Sequence, residues 1–99
     1  MYKLDVLPLA KLDIKESSLW YEEKRKGLGL EFIEEVEEYF KFILKKPKAN
    51  QIRFKKTRFC LLKRFSYAIH YTIIEKEKTI VVSAVFHTSE NPSDWKKRK

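Results

Sequence analysis

The sequence contains few of the residues that interrupt secondary structure or cross-link a chain. Glycine occurs twice, proline three times and cysteine once among 99 residues. Without glycine- or proline-rich stretches there is no linker, low-complexity tract or internal repeat to divide the chain. The lone cysteine, Cys60, cannot form an internal disulfide or complete a tetrahedral metal site by itself. We therefore expect a reducing compartment and neither a metal ion nor another cofactor.

Long apolar runs are also missing. None approaches the roughly 20 residues that a membrane-spanning helix needs, and the N-terminus, MYKLDVLPL, lacks the charged head and apolar core of a signal peptide. The 43% of apolar residues is enough for one core under a single layer of helices. We expect a cytoplasmic protein without membrane contact, with one domain at residues 1–95 and a disordered basic tail at residues 96–99.

Positive charge is concentrated in the second half of the chain. The formal net charge is +8, yet residues 1–50 hold ten Lys/Arg and ten Asp/Glu, whereas residues 51–99 hold twelve Lys/Arg and four Asp/Glu. An excess confined to one half suggests an anionic partner, either nucleic acid or an acidic protein segment. Solubility alone is the alternative explanation.

Apolar periodicity predicts two consecutive helices. The first extends from Leu9 to about Arg25, and its stripe is formed by Ala10, Ile14, Ser17 and Tyr21 and widened by Leu12, Leu19 and Trp20. Gly27 fits the left-handed conformation that commonly ends a helix. The second helix has the clearest stripe in the sequence, which consists of Phe32, Ile33, Val36, Tyr39, Phe40, Ile43 and Leu44. Pro47 closes it, because the residue before a proline avoids the helical region.

Period-2 alternation predicts the strands. The first strand, from Tyr2 to Val6, is short, and three more follow the helices within residues 58–87, while Ile52 and Phe54 allow a further short strand. The first strand belongs either at the edge beside the last strand or between two others. This order predicts an α+β domain, in which an N-terminal strand precedes a helical hairpin packed on one face of a mostly antiparallel sheet of about four strands.

The same alternation assigns side chains to the two faces of the sheet. In the middle strand the larger set is expected under the helices, namely Tyr67, Ile69, Tyr71 and Ile73, which leaves Ala68 and His70 on the other face. In the last strand, alternation places Ile80, Val82, Ala84 and Phe86 on one face and Val81, Ser83, Val85 and His87 on the other. Function is expected on the face that bears Ala68, His70 and the strand end at His87.

The segments LLKRFSYAIHYTI and VVSAVFHTSENPSDW, together with the order of elements, resemble the RelE/ParE superfamily of toxins from type II toxin–antitoxin systems. The most specific matches are Arg64 to Tyr71 and Phe86 to Pro92, with Ser66 where the ParE-like branch more usually has proline. The resemblance implies a toxin that inhibits growth, a role in plasmid stabilisation, and a cognate antitoxin that neutralises the toxin and carries any contact with operator DNA.

The resemblance leaves two targets open, because the RelE branch cuts messenger RNA on the ribosome whereas the ParE branch poisons DNA gyrase. Where RelE-like nucleases carry arginines, this chain has Ala68 and Ser89. These departures favour the ParE-like branch. The alternative is a metal-independent endoribonuclease with His70 and His87 as acid and base, since unperturbed histidines titrate near neutrality. A second alternative is an inactive member that acts only as the partner of a DNA-binding antitoxin.

Candidate contact residues accompany both alternatives. The densest basic group outside the tail consists of Lys55, Lys56, Arg58, Lys63 and Arg64. These side chains are expected to contact the RNA backbone, gyrase or the antitoxin, or else to be solvated residues at the sheet edge. Trp95 follows Asn91 and Pro92 and is expected either to pack back on the sheet or to lie at the mouth of a cleft.

Overall fold

Both helices lie on one face of a five-stranded sheet in the computed structural model, which describes residues 1–89. The elements are β1 (Lys3–Val6), α1 (Pro8–Lys24), α2 (Leu28–Lys45), β2 (Ile52–Phe54), β3 (Thr57–Leu61), β4 (Tyr67–Ile74) and β5 (Thr79–His87). Neither helix within these residues is long and apolar enough to cross a membrane. The predicted α+β class is confirmed, with β2 as the additional short strand.

The sheet has the order β1-β5-β4-β3-β2. β1 pairs with β5 in parallel, and all other neighbours are antiparallel. β1 therefore occupies the edge beside the last strand, which is one of the two positions that the sequence left open. It is only four residues long and pairs with Thr79 to Val82, so the second half of β5 extends beyond it.

A tight connection joins the helices, and both glycines are needed there. Gly27 has a φ of 90°, which is strained for residues with a side chain. A Cβ on Gly29 would lie 2.5 Å from the carbonyl oxygen of Ser18, so only glycine permits this approach of α2 to α1. The Glu22 carboxylate accepts hydrogen bonds from the N–H groups of Gly27 and Gly29 at 3.0 to 3.1 Å. This anion at the start of α2 also complements the helix dipole.

The main core lies between the helices and the sheet. It contains Ala10, Phe32, Val36 and Ile43 from the helices and Cys60, Ile69, Tyr71, Ile80, Val82 and Val85 from the strands. The hydroxyl of Tyr71 donates to the Pro47 carbonyl at 2.7 Å and accepts from Asn50 Nδ2 at 3.2 Å, so its buried polar tip is satisfied. Burial raises the pKa of the Cys60 thiol to about 11, as expected for an inert core residue.

The predicted extension of the α1 stripe is wrong. Leu12, Leu19 and Trp20 are each about half exposed, whereas Ala10 and Ser18 are the residues of α1 that are buried. The face of α1 that packs against α2 and β5 is therefore narrower than the leucine content of the helix predicts.

A β-bulge changes the predicted faces of β5. His70 pairs with Ala84 and Tyr71 pairs with Val82, so Ser83 is an extra residue in the ladder. One inserted residue reverses the alternation beyond it. The prediction that Ala84 and Phe86 share a face with Ile80 and Val82 is therefore wrong, because Val85 enters the helix-side core instead.

Candidate functional site

A second buried layer covers the sheet face opposite the helices, here called the open face and formed by Phe59, Leu61, Ala68, His70, Ala84 and Phe86. Four of these side chains are almost inaccessible, with exposures of 0% for Ala84, 3% for Ala68, 4% for His70 and 9% for Phe86. None of the four belongs to the helix-side core cluster. The open face is thus an apolar surface with one imidazole in its centre.

Aromatic rings hold the His70 imidazole. The Phe59 ring stacks on it with centroids 3.9 Å apart and an interplanar angle of 10°, and the Phe86 ring meets it edge-on at 5.3 Å and 80°. Cross-strand pairing explains this geometry, since Phe59 is directly opposite His70 and Phe86 is opposite the neighbouring Ala68. The arrangement restricts access to the imidazole and fixes its orientation by packing.

A small cleft opens on this face. Its volume is about 250 Å³, and its lining consists of Arg53, Phe59, Leu61, Ala68, His70, His87 and Thr88. Leu61 is 53% exposed at its margin. Small-molecule sites usually enclose about 300–1,000 Å³, so this cleft suits a single side chain of a partner or of the chain itself better than a cofactor.

His87 lies at the end of β5, opposite Tyr67, whose ring it meets edge-on at 5.2 Å. Its Nδ1 accepts a hydrogen bond from the Ser89 backbone N–H at 3.1 Å and lies 2.8 Å from the Ser89 hydroxyl. An accepting Nδ1 places the proton of a neutral imidazole on Nε2. Tyr67 and His70 are three residues apart on β4, which separates the two histidines by about 10 Å along the ladder.

The predicted basic group does not form one continuous patch. Lys55 and Lys56 are exposed in the turn before β3, and Lys63 and Arg64 are exposed in the turn after it. A strand of this length separates its two ends by about 17 Å. These pairs of cations therefore lie at opposite ends of β3.

The two arginines of this group have structural partners. Arg58 donates from its guanidinium to the Asn50 carbonyl at 2.6 Å and to the Lys48 carbonyl at 3.4 Å. These hydrogen bonds fix the connection between α2 and β2. The Arg64 guanidinium pairs with Glu31, and its backbone N–H donates to the buried Glu35 carboxylate at 2.7 Å. The hydrogen bond from Arg64 lowers the pKa of Glu31.

A second, wider groove lies between α1 and the end of β5. It measures about 410 Å³ and is lined by Glu16, Ser17, Trp20, Tyr21, Tyr67, His87 and Ser89. Trp20 is half exposed there, and the Nζ of Lys24 lies 4.8 Å from its ring centroid. Sequence reasoning missed this groove because it assigned Trp20 to the core stripe of the helix.

No cluster of three or more potential metal ligands occurs among residues 1–89. The candidate Trp95 and the predicted basic tail at residues 96–99 lie outside the described residues. The candidate site residues that the structure describes therefore lie in the open-face cleft and in the two separated basic turns, and the groove beside Trp20 is a further candidate.

A family model described as "ParE toxin of type II toxin-antitoxin system, parDE" matches residues 4–92. No curated protein matches the chain in a sequence search. The family match spans every helix and strand except the first residue of β1, and it includes both the open face and the strand end at His87.

Several solved structures share the fold. The chain is similar to a toxin–antitoxin complex RelBE of E. coli, with a TM-score of 0.69, 20% identity and coverage of 92% of this chain and 100% of that one. It is also similar to a chromosomal ParDE system of P. aeruginosa, with a TM-score of 0.76, 15% identity and coverage of 88% and 96%. For the complex RelBE2 of Mycobacterium tuberculosis the TM-score is 0.61, with 19% identity and coverage of 87% and 96%.

Proposed function

Because the chain belongs to the family of ParE toxins of type II toxin–antitoxin systems, parDE, we propose that it arrests growth by binding an essential protein target of the gyrase type rather than by chemistry of its own. The observation that carries this proposal is the make-up of the open-face cleft. Its centre is the buried Ala68 beside an imidazole that stacks on Phe59 and meets Phe86 edge-on. Such a surface favours protein contact over catalysis.

RNA cleavage without a metal makes demands that this cleft meets poorly. The reaction needs a base for the 2′-hydroxyl, an acid for the leaving oxygen and cations around the developing phosphorane charge. Ala68 supplies no charge, and Arg64 is paired with Glu31 on α2. Among the described residues that line the cleft, Arg53 is the one permanently charged side chain. A site with so few cations stabilises a dianionic transition state weakly.

A cognate antitoxin is the second element of the proposal. The similar structures from E. coli and P. aeruginosa are toxin–antitoxin systems. The net charge of +8 on this chain suits an acidic or amphipathic antitoxin segment. We expect the antitoxin to neutralise the toxin and to carry any contact of the pair with operator DNA.

Controlled expression in bacteria tests the toxin activity. We expect growth to stop after induction and to resume when the neighbouring antitoxin is co-expressed. Continued growth despite soluble toxin would contradict the proposal.

A second experiment adds purified toxin to DNA gyrase. We expect inhibited supercoiling and accumulation of cleaved DNA. Unchanged gyrase activity would exclude gyrase as the target.

The ribosome-dependent endonuclease remains the second candidate, since His70 and His87 line the same cleft. Mapping of transcript ends after induction distinguishes the two candidates. Discrete cuts within translated messages would support the nuclease, whereas intact messages together with a DNA-damage response would support gyrase as the target.

A further inference from the structure

The groove beside Trp20, here called the α1 groove, differs in charge from the rest of the chain. Its described lining residues include the carboxylate of Glu16 and no lysine or arginine. An adjoining groove of about 260 Å³ shares Glu16 and His87 with it and adds the carboxylate of Asp13, again without a lysine or arginine among the described residues of its lining. On a chain with a net charge of +8, the two grooves are therefore a locally acidic region.

Aromatic rings form the walls of the α1 groove. The Tyr21 ring meets Trp20 edge-on at 5.0 Å and Tyr67 edge-on at 6.1 Å. The Tyr67 ring meets His87 edge-on at 5.2 Å, so the rings form a continuous row from α1 to the end of β5. Because the faces of aromatic rings carry the negative part of the ring quadrupole, such walls attract a cation.

One ammonium group already contacts this row of rings. The Nζ of Lys24 lies 4.8 Å from the ring centroid of Trp20, which is within the reach of a cation–π interaction. The Trp20 side chain is 51% exposed, so its ring is also accessible from solvent. The indole is thus presented to cations at the mouth of an acidic groove.

We propose that the α1 groove binds a lysine or arginine side chain of a partner protein, with the Glu16 carboxylate as its counter-ion and the Trp20 indole as the ring on which the cation lies. Glu16 and Trp20 are four residues apart on α1, so their side chains lie one turn apart on the same face of the helix. A guanidinium or ammonium group between them contacts both. The inference rests on this groove alone and does not depend on the toxin's target.

The dimensions of the groove suit a side chain that is delivered by a peptide segment. Its volume of about 410 Å³ is within the range of about 300–1,000 Å³ that is usual for ligand sites. The two adjoining grooves follow α1 from Asp13 to Trp20, which is about 10 Å of helix. About three extended residues cover the same length. A short basic segment can therefore lie along α1, whereas an acidic segment is repelled by Glu16 and is attracted to the basic turns instead.

Titration of the full chain with a matched pair of ligands tests the preference for a cation. N-acetylarginine amide carries the guanidinium group, and N-acetylcitrulline amide is its uncharged counterpart of nearly the same shape. In ¹⁵N NMR spectra we expect N-acetylarginine amide to shift the Trp20 indole N–H and the Ser17 amide, and the citrulline compound to bind at least about threefold more weakly. Equal binding of the two compounds, or shifts confined to other parts of the chain, would overturn the proposal.

A longer ligand tests whether the cation belongs to a protein segment. We expect a blocked Ala-Arg-Ala peptide to bind at least about twofold more tightly than N-acetylarginine amide, because its backbone also lies along the groove. Putrescine carries ammonium groups without a peptide backbone and is expected to bind no better than N-acetylarginine amide. Tighter binding of putrescine than of the peptide would indicate a free amine as the ligand and would contradict a protein partner.

Matched substitutions on α1 then assign the site. We expect Glu16→Gln to weaken the binding of N-acetylarginine amide by about two- to fivefold. Glu23→Gln removes another exposed carboxylate of α1, which is not among the described lining residues of the groove, and is expected to leave binding unchanged. Lys24→Met removes the competing ammonium group from Trp20 and is expected to strengthen binding by a similar factor. Unchanged binding in Glu16→Gln, an equal loss in Glu23→Gln or weaker binding in Lys24→Met would each contradict the proposed site.

Discussion

The Asp13 carboxylate on α1 accepts a hydrogen bond from the backbone N–H of Val85 on β5, with an Oδ2–N distance of 3.0 Å. β1 has already ended at this point, so the side chain satisfies a backbone donor on the uncovered edge of β5. This contact lies directly after the bulge at Ser83. It therefore helps to fix which side chains of β5 face the helices and which face the cleft.

Asp13→Ala is expected to destabilise the fold by about 1–3 kcal/mol, because it leaves the partly buried N–H of Val85 without this acceptor. Asp13→Asn keeps an acceptor oxygen and is expected to lose less. Urea unfolding measures the loss, and hydrogen exchange at the Val85 amide reports the contact directly. Unchanged exchange at Val85 in Asp13→Ala would show that the carboxylate does not hold the bulge.

Much of the fold follows from local pattern. The apolar stripe of α2 and the alternation of β4 predict these elements, because each pattern buries one face of a short segment. The two glycines mark the break between the helices. The bulge does not follow, because Val81 and Val85 are as apolar as Ile80 and Val82, so β5 tolerates either register. The Val85 N–H after the bulge donates to Asp13, which is 72 positions away in sequence, so no local pattern indicates this contact.

The candidate site follows from the sequence only in part. The sequence placed Ala68 and His70 on the face opposite the helices, where the structure has them, because β4 is regular before the bulge. It did not indicate that Arg58 and Arg64 are engaged by backbone and carboxylate acceptors. Those acceptors are 8 to 33 positions away in sequence, so no periodic pattern connects them.

Glu75 is expected to make stability depend on pH. Its carboxylate accepts hydrogen bonds from Lys48 at 3.0 Å and Tyr2 at 2.9 Å, and these lower its pKa from the ordinary 4.5. Since the pKa is lower in the folded state, the stabilisation is present above the unfolded pKa and disappears as the pH falls through the folded value. We expect Glu75→Gln to unfold at lower urea concentrations than the wild type at pH 7 and to approach it as the pH falls through the lowered pKa of the folded state.

The control for Glu75 lies in the same turn. Glu77→Gln removes a carboxylate of this 3₁₀ turn without touching the contacts to Lys48 and Tyr2. We expect its urea midpoint to follow the wild type at every pH. A constant difference between Glu75→Gln and the wild type from pH 7 to pH 3 would show that ionisation of Glu75 is not the cause.

The basic group is expected to divide into structural and contact residues. Arg58→Met removes the hydrogen bonds to the Asn50 and Lys48 carbonyls, and we expect it to lower the free energy of unfolding in urea by about 1–3 kcal/mol.

The double substitution Lys55→Glu with Lys56→Glu changes an exposed turn, and we expect it to change the free energy of unfolding by no more than about 0.5 kcal/mol. It is nevertheless expected to weaken antitoxin binding, which salt titration of the affinity would reveal. Equal antitoxin affinities for this variant and the wild type would show that this turn is not part of the interface with the antitoxin.

The two histidines provide the sharpest test of mechanism. Loss of a general acid or base reduces a catalysed rate by about 10²–10⁴-fold, so a nuclease would lose its toxicity with either residue. His70→Phe keeps a ring between Phe59 and Phe86, and His87→Ala removes a half-buried side chain, so both variants are expected to fold. If the toxin acts by binding, we expect both to arrest growth as the wild type does, measured by viable counts after induction and matched for soluble protein. Survival of cells that contain folded His70→Phe, together with transcript cuts that the wild type makes and this variant does not, would favour cleavage of RNA, because packing is preserved and the imidazole is the group that is lost.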